Sequence, residues 1–169
     1  VAILGSALIF PLLGSYGLWD PLEIREADVA QEVAKSGSFS DVSVDGRYSQ
    51  RHPLKVWLIA LGFKLFNVSE LGGRLPLAIL GLATLLLCYR VTRRLLGVGP
   101  ALLGAFVLAT TPTFLFQSRQ LITHMPYHFA VLAAVGGLAA YLWPADGTRS
   151  RLDLGLGALM PWLGRTEQD

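Results

Sequence analysis

A chain of 169 residues that is 53% hydrophobic and only 15% charged carries more apolar surface than a water-soluble domain of that size covers with polar groups, so a bilayer is the expected solvent. The formal net charge of +2 comes from basic residues spread over loops and not gathered into a stripe, which argues against nucleic acid as a partner. Cys88 is the single cysteine, so disulfides, CxxC redox chemistry and cysteine-based zinc sites are excluded within the chain, and inside a predicted span it reads as a small core hydrophobe.

The chain opens on an uncharged stretch, Val1 to Trp19, long enough to cross a hydrocarbon core. It begins with Val1 and lacks the basic leader and small-residue cleavage site of a signal peptide, so the expectation is a chain whose natural start lies further upstream. Asp20-Pro-Leu-Glu23 follows: an N-cap acid, proline at the first helical position and glutamate three residues after the cap open a helix by the capping-box pattern. That helix continues to Lys35 and stops at Ser36-Gly37. Leu22, Ala30 and Val33 fall near one face and Glu23, Asp28 and Glu32 toward others, and the charge content keeps the helix at the membrane surface.

Short alternating stretches around Asp45-Gly46 predict a small hairpin between Phe39 and Ser49. Pro53 then opens a second amphipathic helix, with Leu54, Trp57, Leu58, Leu61 and Leu65 at helical spacing. It is too short to span, and its tryptophan and lysines, Lys55 and Lys64, suit the headgroup level. Asn67-Val-Ser69 fits a glycosylation acceptor, a match too common to carry weight.

Leu75 to Tyr89 is a shorter apolar stretch bounded by Arg74 and Arg90, whose side chains can snorkel and extend it to a span. Arg90-Val-Thr-Arg-Arg94 is read as a connection with three arginines and no acid, which places it in the cytoplasm by the positive-inside rule. Leu95 to Ser118 and Met125 to Trp143 supply two more spans, with Pro11 and Pro112 as possible helix breaks. Leu154 to Gly164 is too short to cross.

The expected fold is therefore all-α and membrane-integral, with about four transmembrane helices, near 1–19, 74–90, 97–117 and 125–143, in one transmembrane unit over 1–143. A long outer loop, 20–73, holds two amphipathic juxtamembrane helices, and 144–169, with Arg149 and Arg151, is a cytoplasmic segment, truncated or disordered. The N-terminus is cytoplasmic and the localisation multi-pass in the cell's inner (plasma) membrane. Asp20, Glu23, Gln50, His52 and His124 then share the non-cytoplasmic face.

The order Gly17-Leu-Trp-Asp-Pro-Leu-Glu23, Ala27-Asp-Val-Ala-Gln-Glu-Val33, Asp45-Gly-Arg-Tyr-Ser-Gln-Arg-His-Pro-Leu-Lys-Val-Trp-Leu58, Phe63-Lys-Leu-Phe66, Ser69-Glu-Leu-Gly-Gly-Arg-Leu-Pro76 and Ser118-Arg-Gln-Leu-Ile-Thr-His-Met-Pro126 resembles the first part of a GT-C glycosyltransferase. The subgroup is that of bacterial aminoarabinose transferases of lipid A and protein O-mannosyltransferases. The likeness covers roughly residues 15–143 and rests on several weak motifs in the right order.

What the resemblance implies is transfer of a sugar from a polyprenyl-phosphate carrier in the membrane lipid to a lipid or protein acceptor outside the cytoplasm. Such chemistry asks for a carboxylate base and for cationic groups, or a divalent metal ion, to take up charge on the leaving phosphate. The implied catalytic residues are Glu23, Asp20 and His124; Arg25, Gln50, Arg51 and His52 are the implied substrate-binding residues. The sequence departs from the family at three of its positions: Leu22 stands where an Asp-Pro-Asp-Glu pattern has its second acid, Gln50 where relatives commonly carry glutamate, and His124 where an aspartate precedes Met-Pro. Asp20 and Glu23 also have a local reading, as a capping pair, and His124 with His128 has the spacing of two metal ligands without an evident third. His128 is otherwise a satisfied contact inside a span, and Gly81, Gly104, Gly136 and Gly137 serve close helix packing. The competing classes are a small multi-pass transporter, which calls for paired ionisable residues or broken helices within the membrane, and a non-catalytic membrane subunit.

Overall fold

The computed structural model describes residues 1–15, 17, 21–37, 43–44, 47–48, 53–122 and 124–142. Within these, seven helices and one two-stranded hairpin follow one another: α1 (Ala2–Ile9), α2 (Pro21–Ser36), β1 (Ser43–Val44), β2 (Arg47–Tyr48), α3 (Pro53–Phe66), α4 (Glu70–Leu96), α5 (Val98–Thr110), α6 (Pro112–Arg119) and α7 (Met125–Leu142). The strands of the expected hairpin pair antiparallel, Ser43 with Tyr48 and Val44 with Arg47; Asp45 and Gly46 lie outside the described residues.

The organising element is α4, against which α1, α3, α5, α6 and α7 all pack, while α2 lies on α3. Its start is written locally. Ser69 is extended and its hydroxyl accepts the Gly72 N–H at 3.0 Å, satisfying one of the donors that a helix start leaves open. Its end comes at Gly97, whose φ of +88° is open to glycine, and the Gly97 N–H closes back on the Arg93 carbonyl. Arg90, Val91, Thr92, Arg93 and Arg94 are therefore the last turns of a helix and not a loop: the chain reverses after them, and the arginines sit at the helix's negative end.

Proline sets two further breaks. The first apolar stretch is helical only to Ile9; at Pro11 it enters a turn in which Leu12 takes a φ of +58°. The stretch from 97 to 117 divides at Thr111, which is extended ahead of Pro112 as pre-proline sterics favour, and α5 and α6 meet at a bend of 64°. Among the described residues α4 alone is long and apolar enough to cross a bilayer, α5 and α6 pass the same test as a bent pair, and α7 holds a shorter apolar helix, Met125–Ala139.

Close approach between helices is set by glycine. A side chain on Gly62 of α3 would meet the Gly72 carbonyl and the Pro76 ring of α4. Pro76, lacking an N–H, cannot bond that carbonyl in the usual helical way, and the bare backbone of Gly62 sits against it. Gly81 faces Ser118 of α6, and Gly136 of α7 faces Val91. Gly104 meets nothing within 4 Å, so the packing role expected for it is not realised within the described chain.

Three apolar cores result among the described residues; the smallest joins α4 and α7 through Leu87, Val91 and Ala133, and the other two are larger. One joins α2, α3 and α4 through Val29, Ala30, Val33, Val56, Ile59, Ala60, Phe63 and Leu77, closed by Leu121. The other joins α1, α4, α5 and α6 through Ile9, Leu13, Ala78, Leu85, Ala105, Ala109 and Phe114, with Met125 at its edge. Where lipid is the alternative neighbour, such cores are held by van der Waals packing and not by removal of apolar surface from water.

Candidate active site

The inner face of α2 carries charge as well as apolar side chains. Glu23 and Glu26, three residues apart, are buried beside Val29, Ala30 and Val33, while Leu22 is half exposed. Leu22 and Glu23 thus exchange the places that the apolar pattern assigns them. The cause lies on other helices, since each glutamate meets a cation: Glu23 meets Arg74 of α4, and Glu26 meets Lys55 of α3 at 3.2 Å. Lys55 does not reach for the headgroups; it is 7% exposed.

Arg74 is fully buried and does not snorkel. Its Nη2 donates to Glu23 Oε2 at 2.9 Å and its Nε to Oε1 at 3.4 Å, a two-pronged contact for which the planar guanidinium is shaped. The same group donates to the carbonyls of Leu13 (3.3 Å) and Gly17 (3.2 Å), in the turn that follows α1. Glu23 Oε1 in turn accepts the main-chain N–H of Leu121 at 3.0 Å. Both carboxylate oxygens are therefore occupied. A charge pair removed from water needs this degree of hydrogen bonding to offset its desolvation.

One consequence is geometric. Leu121 lies three residues before His124, so the acid-bearing helix α2 and the segment leading to α7 meet at the Glu23 carboxylate. Arg119 adds to the arrangement by donating to the carbonyls of Leu8 and Pro11 at the end of α1, at 3.4 and 2.7 Å.

The other sequence-derived site residues fall as follows. Asp20, Gln50, Arg51 and His52 lie outside the described residues. Arg25 is exposed on α2. His124 is exposed, and its carbonyl accepts the N–H groups of Tyr127 and His128, opening α7. His128 Nε2 lies 3.1 Å from Gln117 Oε1, a contact between α7 and α6 that engages its ring without a metal. No three His, Cys, Asp or Glu side chains gather as a metal site among the described residues.

Beside Leu121, a cleft of about 190 Å³ opens between α2 and the α3–α4 junction. Phe63, Val68 and Leu121 make it apolar within, and Asp28, Gln31, Ser69 and Glu70 supply hydrogen-bonding groups of the kind that hydroxylated ligands use.

Sequence reasoning missed Arg74 and Lys55 as internal partners. The available signal was Arg74 itself, an ionisable residue set among Gly72, Gly73, Leu75 and Pro76 at the head of an apolar run, which calls for a buried partner by default.

Residues 50–149, more than half of the chain, match the family of dolichyl-phosphate-mannose-protein mannosyltransferases. An uncharacterized protein of Aquifex aeolicus is 34% identical over 146 residues, covering 85% of this chain and 28% of its own length. An undecaprenyl phosphate-alpha-4-amino-4-deoxy-L-arabinose arabinosyl transferase 2 of Pseudomonas fluorescens is 37% identical over 90 residues, covering 53% of this chain and 16% of the relative. An arabinosyl transferase acting on the same sugar carrier by name, from Pseudomonas savastanoi pv. phaseolicola, is 39% identical over 84 residues, 49% of this chain and 16% of the relative. No solved structure matches the chain.

A helical membrane bundle of the GT-C type is the class that these elements and relatives define. The chain belongs to the dolichyl-phosphate-mannose-protein mannosyltransferase family. It spans less than a third of the length of the curated relatives it matches.

Proposed function

We propose that the protein is a membrane glycosyltransferase that moves a sugar from a polyprenyl-phosphate carrier to a lipid or protein acceptor on the non-cytoplasmic face of the plasma membrane. Family membership supports the reaction class, and the names of the Pseudomonas relatives support an undecaprenyl-phosphate donor. The observation that carries the reading is the Glu23 carboxylate, which joins α2 to the segment before His124, the two segments that the proposal puts on the outer face.

In the proposed reaction the acceptor hydroxyl gives its proton to a carboxylate as its oxygen attacks the anomeric carbon. The bond from that carbon to the phosphate oxygen breaks, and polyprenyl phosphate leaves with the electron pair. Asp20, directly ahead of α2, is the base in this scheme, because both oxygens of Glu23 already accept N–H donors. Glu23 belongs to the site as the group that orders it. Arg25 and Arg51 meet the leaving phosphate, Gln50 and His52 contact substrate hydroxyls, and His124 contributes a neutral donor or acceptor in place of a carboxylate. The scheme routes no step through a metal.

The topology that goes with this reading has the arginines of the α4 end in the cytoplasm and α2, the hairpin and α3 at the opposite face. The test is sugar transfer by the full-length protein with Asp20→Asn beside Glu23→Gln. Asp20→Asn should keep the protein folded and lower kcat about 100-fold or more, the usual loss with a general base. Undiminished transfer by Asp20→Asn removes that residue from the scheme.

A further inference from the structure

Arg74 is the point at which three separate stretches of chain converge. It holds the turn after α1 by the Leu13 and Gly17 carbonyls, and α2 by the Glu23 carboxylate. Through that carboxylate it reaches the Leu121 N–H of the segment before α7. The guanidinium is wholly buried, so it cannot itself touch a substrate.

Stability alone does not explain it. A buried ion pair is often replaced by apolar side chains of like volume with no loss of stability, and Val29, Ile59, Leu77 and Leu121 already supply an apolar core at this level. Apolar attraction is non-directional, whereas a planar fork bonded to a carboxylate and two carbonyls sets the orientation of each group that it holds. Misplacement of a reacting group by about 1 Å costs a transferase on the order of 100-fold in rate.

We propose that Arg74 is a positioning residue for sugar transfer, acting through Glu23 to hold the turn after α1, the start of α2 and the segment before His124 in one register. The proposal rests on the transferase reading for the reaction that it serves, and on the geometry alone for the register that it sets. It predicts that charge without the fork is insufficient and that an apolar pair restores the fold but not the rate.

The experiment uses the full-length protein in proteoliposomes, with undecaprenyl-phosphate-linked sugar as the probe donor. Arg74→Lys is compared with the double variant Arg74→Met/Glu23→Leu. Both should remain folded, judged by thermal unfolding in detergent, with donor KM within about twofold of wild type and kcat lowered about 10-fold to 100-fold. A second readout does not depend on activity. Spin labels on Asp28→Cys and Tyr127→Cys, in a background with Cys88 and every other cysteine of the full-length protein replaced, report the distance between α2 and the start of α7. The distribution should be narrow with Arg74 present and broadened in both variants.

Wild-type kcat in the double variant, or a distribution that stays narrow in both variants, overturns the proposal. Broadened distributions together with no transfer by the wild-type protein would uphold the register and overturn the transferase reading instead.

Discussion

Arg74 and Glu23 are separated by 51 positions and are both buried once the helices are packed. Removing one partner leaves the other charged and buried, so Arg74→Leu alone should destabilise the protein by about 3–5 kcal/mol, measured as unfolding in detergent. Lys55→Met should cost less, on the order of 1–3 kcal/mol, because the Glu26 side chain retains 10% exposure and some access to water. Ser69→Ala removes the hydroxyl that caps α4 and should cost about 1 kcal/mol. At this scale the sequence reveals positions more readily than roles. The capping-box pattern around Asp20 and Glu23 correctly starts a helix, yet a local pattern compares only near neighbours and has no access to a partner on α4. Apolar periodicity for the same reason turns Leu22 inward, whereas the ion pair turns Glu23 inward and leaves Leu22 half exposed.

The ends of α2 and α3 were the most legible feature among the elements. Pro53 and the recurrence of Leu54, Trp57, Leu58, Leu61 and Leu65 give α3 at its observed extent, Pro53–Phe66, and Ser36-Gly37 ends α2 as read from the sequence. Uncharged length was a poorer guide, because hydropathy does not register backbone geometry: Pro11 and Pro112 interrupt stretches that are uncharged throughout. The glycines divide similarly. Gly62→Ala should be destabilising by about 1–3 kcal/mol, since its methyl group has only backbone and a proline ring to displace. Gly104→Ala, facing open space inside a helix, should be neutral or stabilising by up to about 1 kcal/mol. Parallel unfolding measurements on the two variants check both signs, and equal effects would contradict the close crossing of α3 and α4.

The described helices are arranged about α4, with Arg74 buried and ion-paired near its start and Arg93 and Arg94 in its last turn. The proposed topology predicts that a cysteine at Asp28 is labelled in intact cells and one at Arg93 only after permeabilisation, both in a background with Cys88 and every other cysteine of the full-length protein replaced. The reaction itself gives the most direct test. Full-length protein is reconstituted in one orientation, with a polyprenyl-phosphate sugar in the bilayer and acceptor supplied on a single side. The account predicts labelled product only when acceptor is on the side opposite the Arg90–Arg94 end of α4; product formed equally from the arginine side, or none from either side, contradicts it.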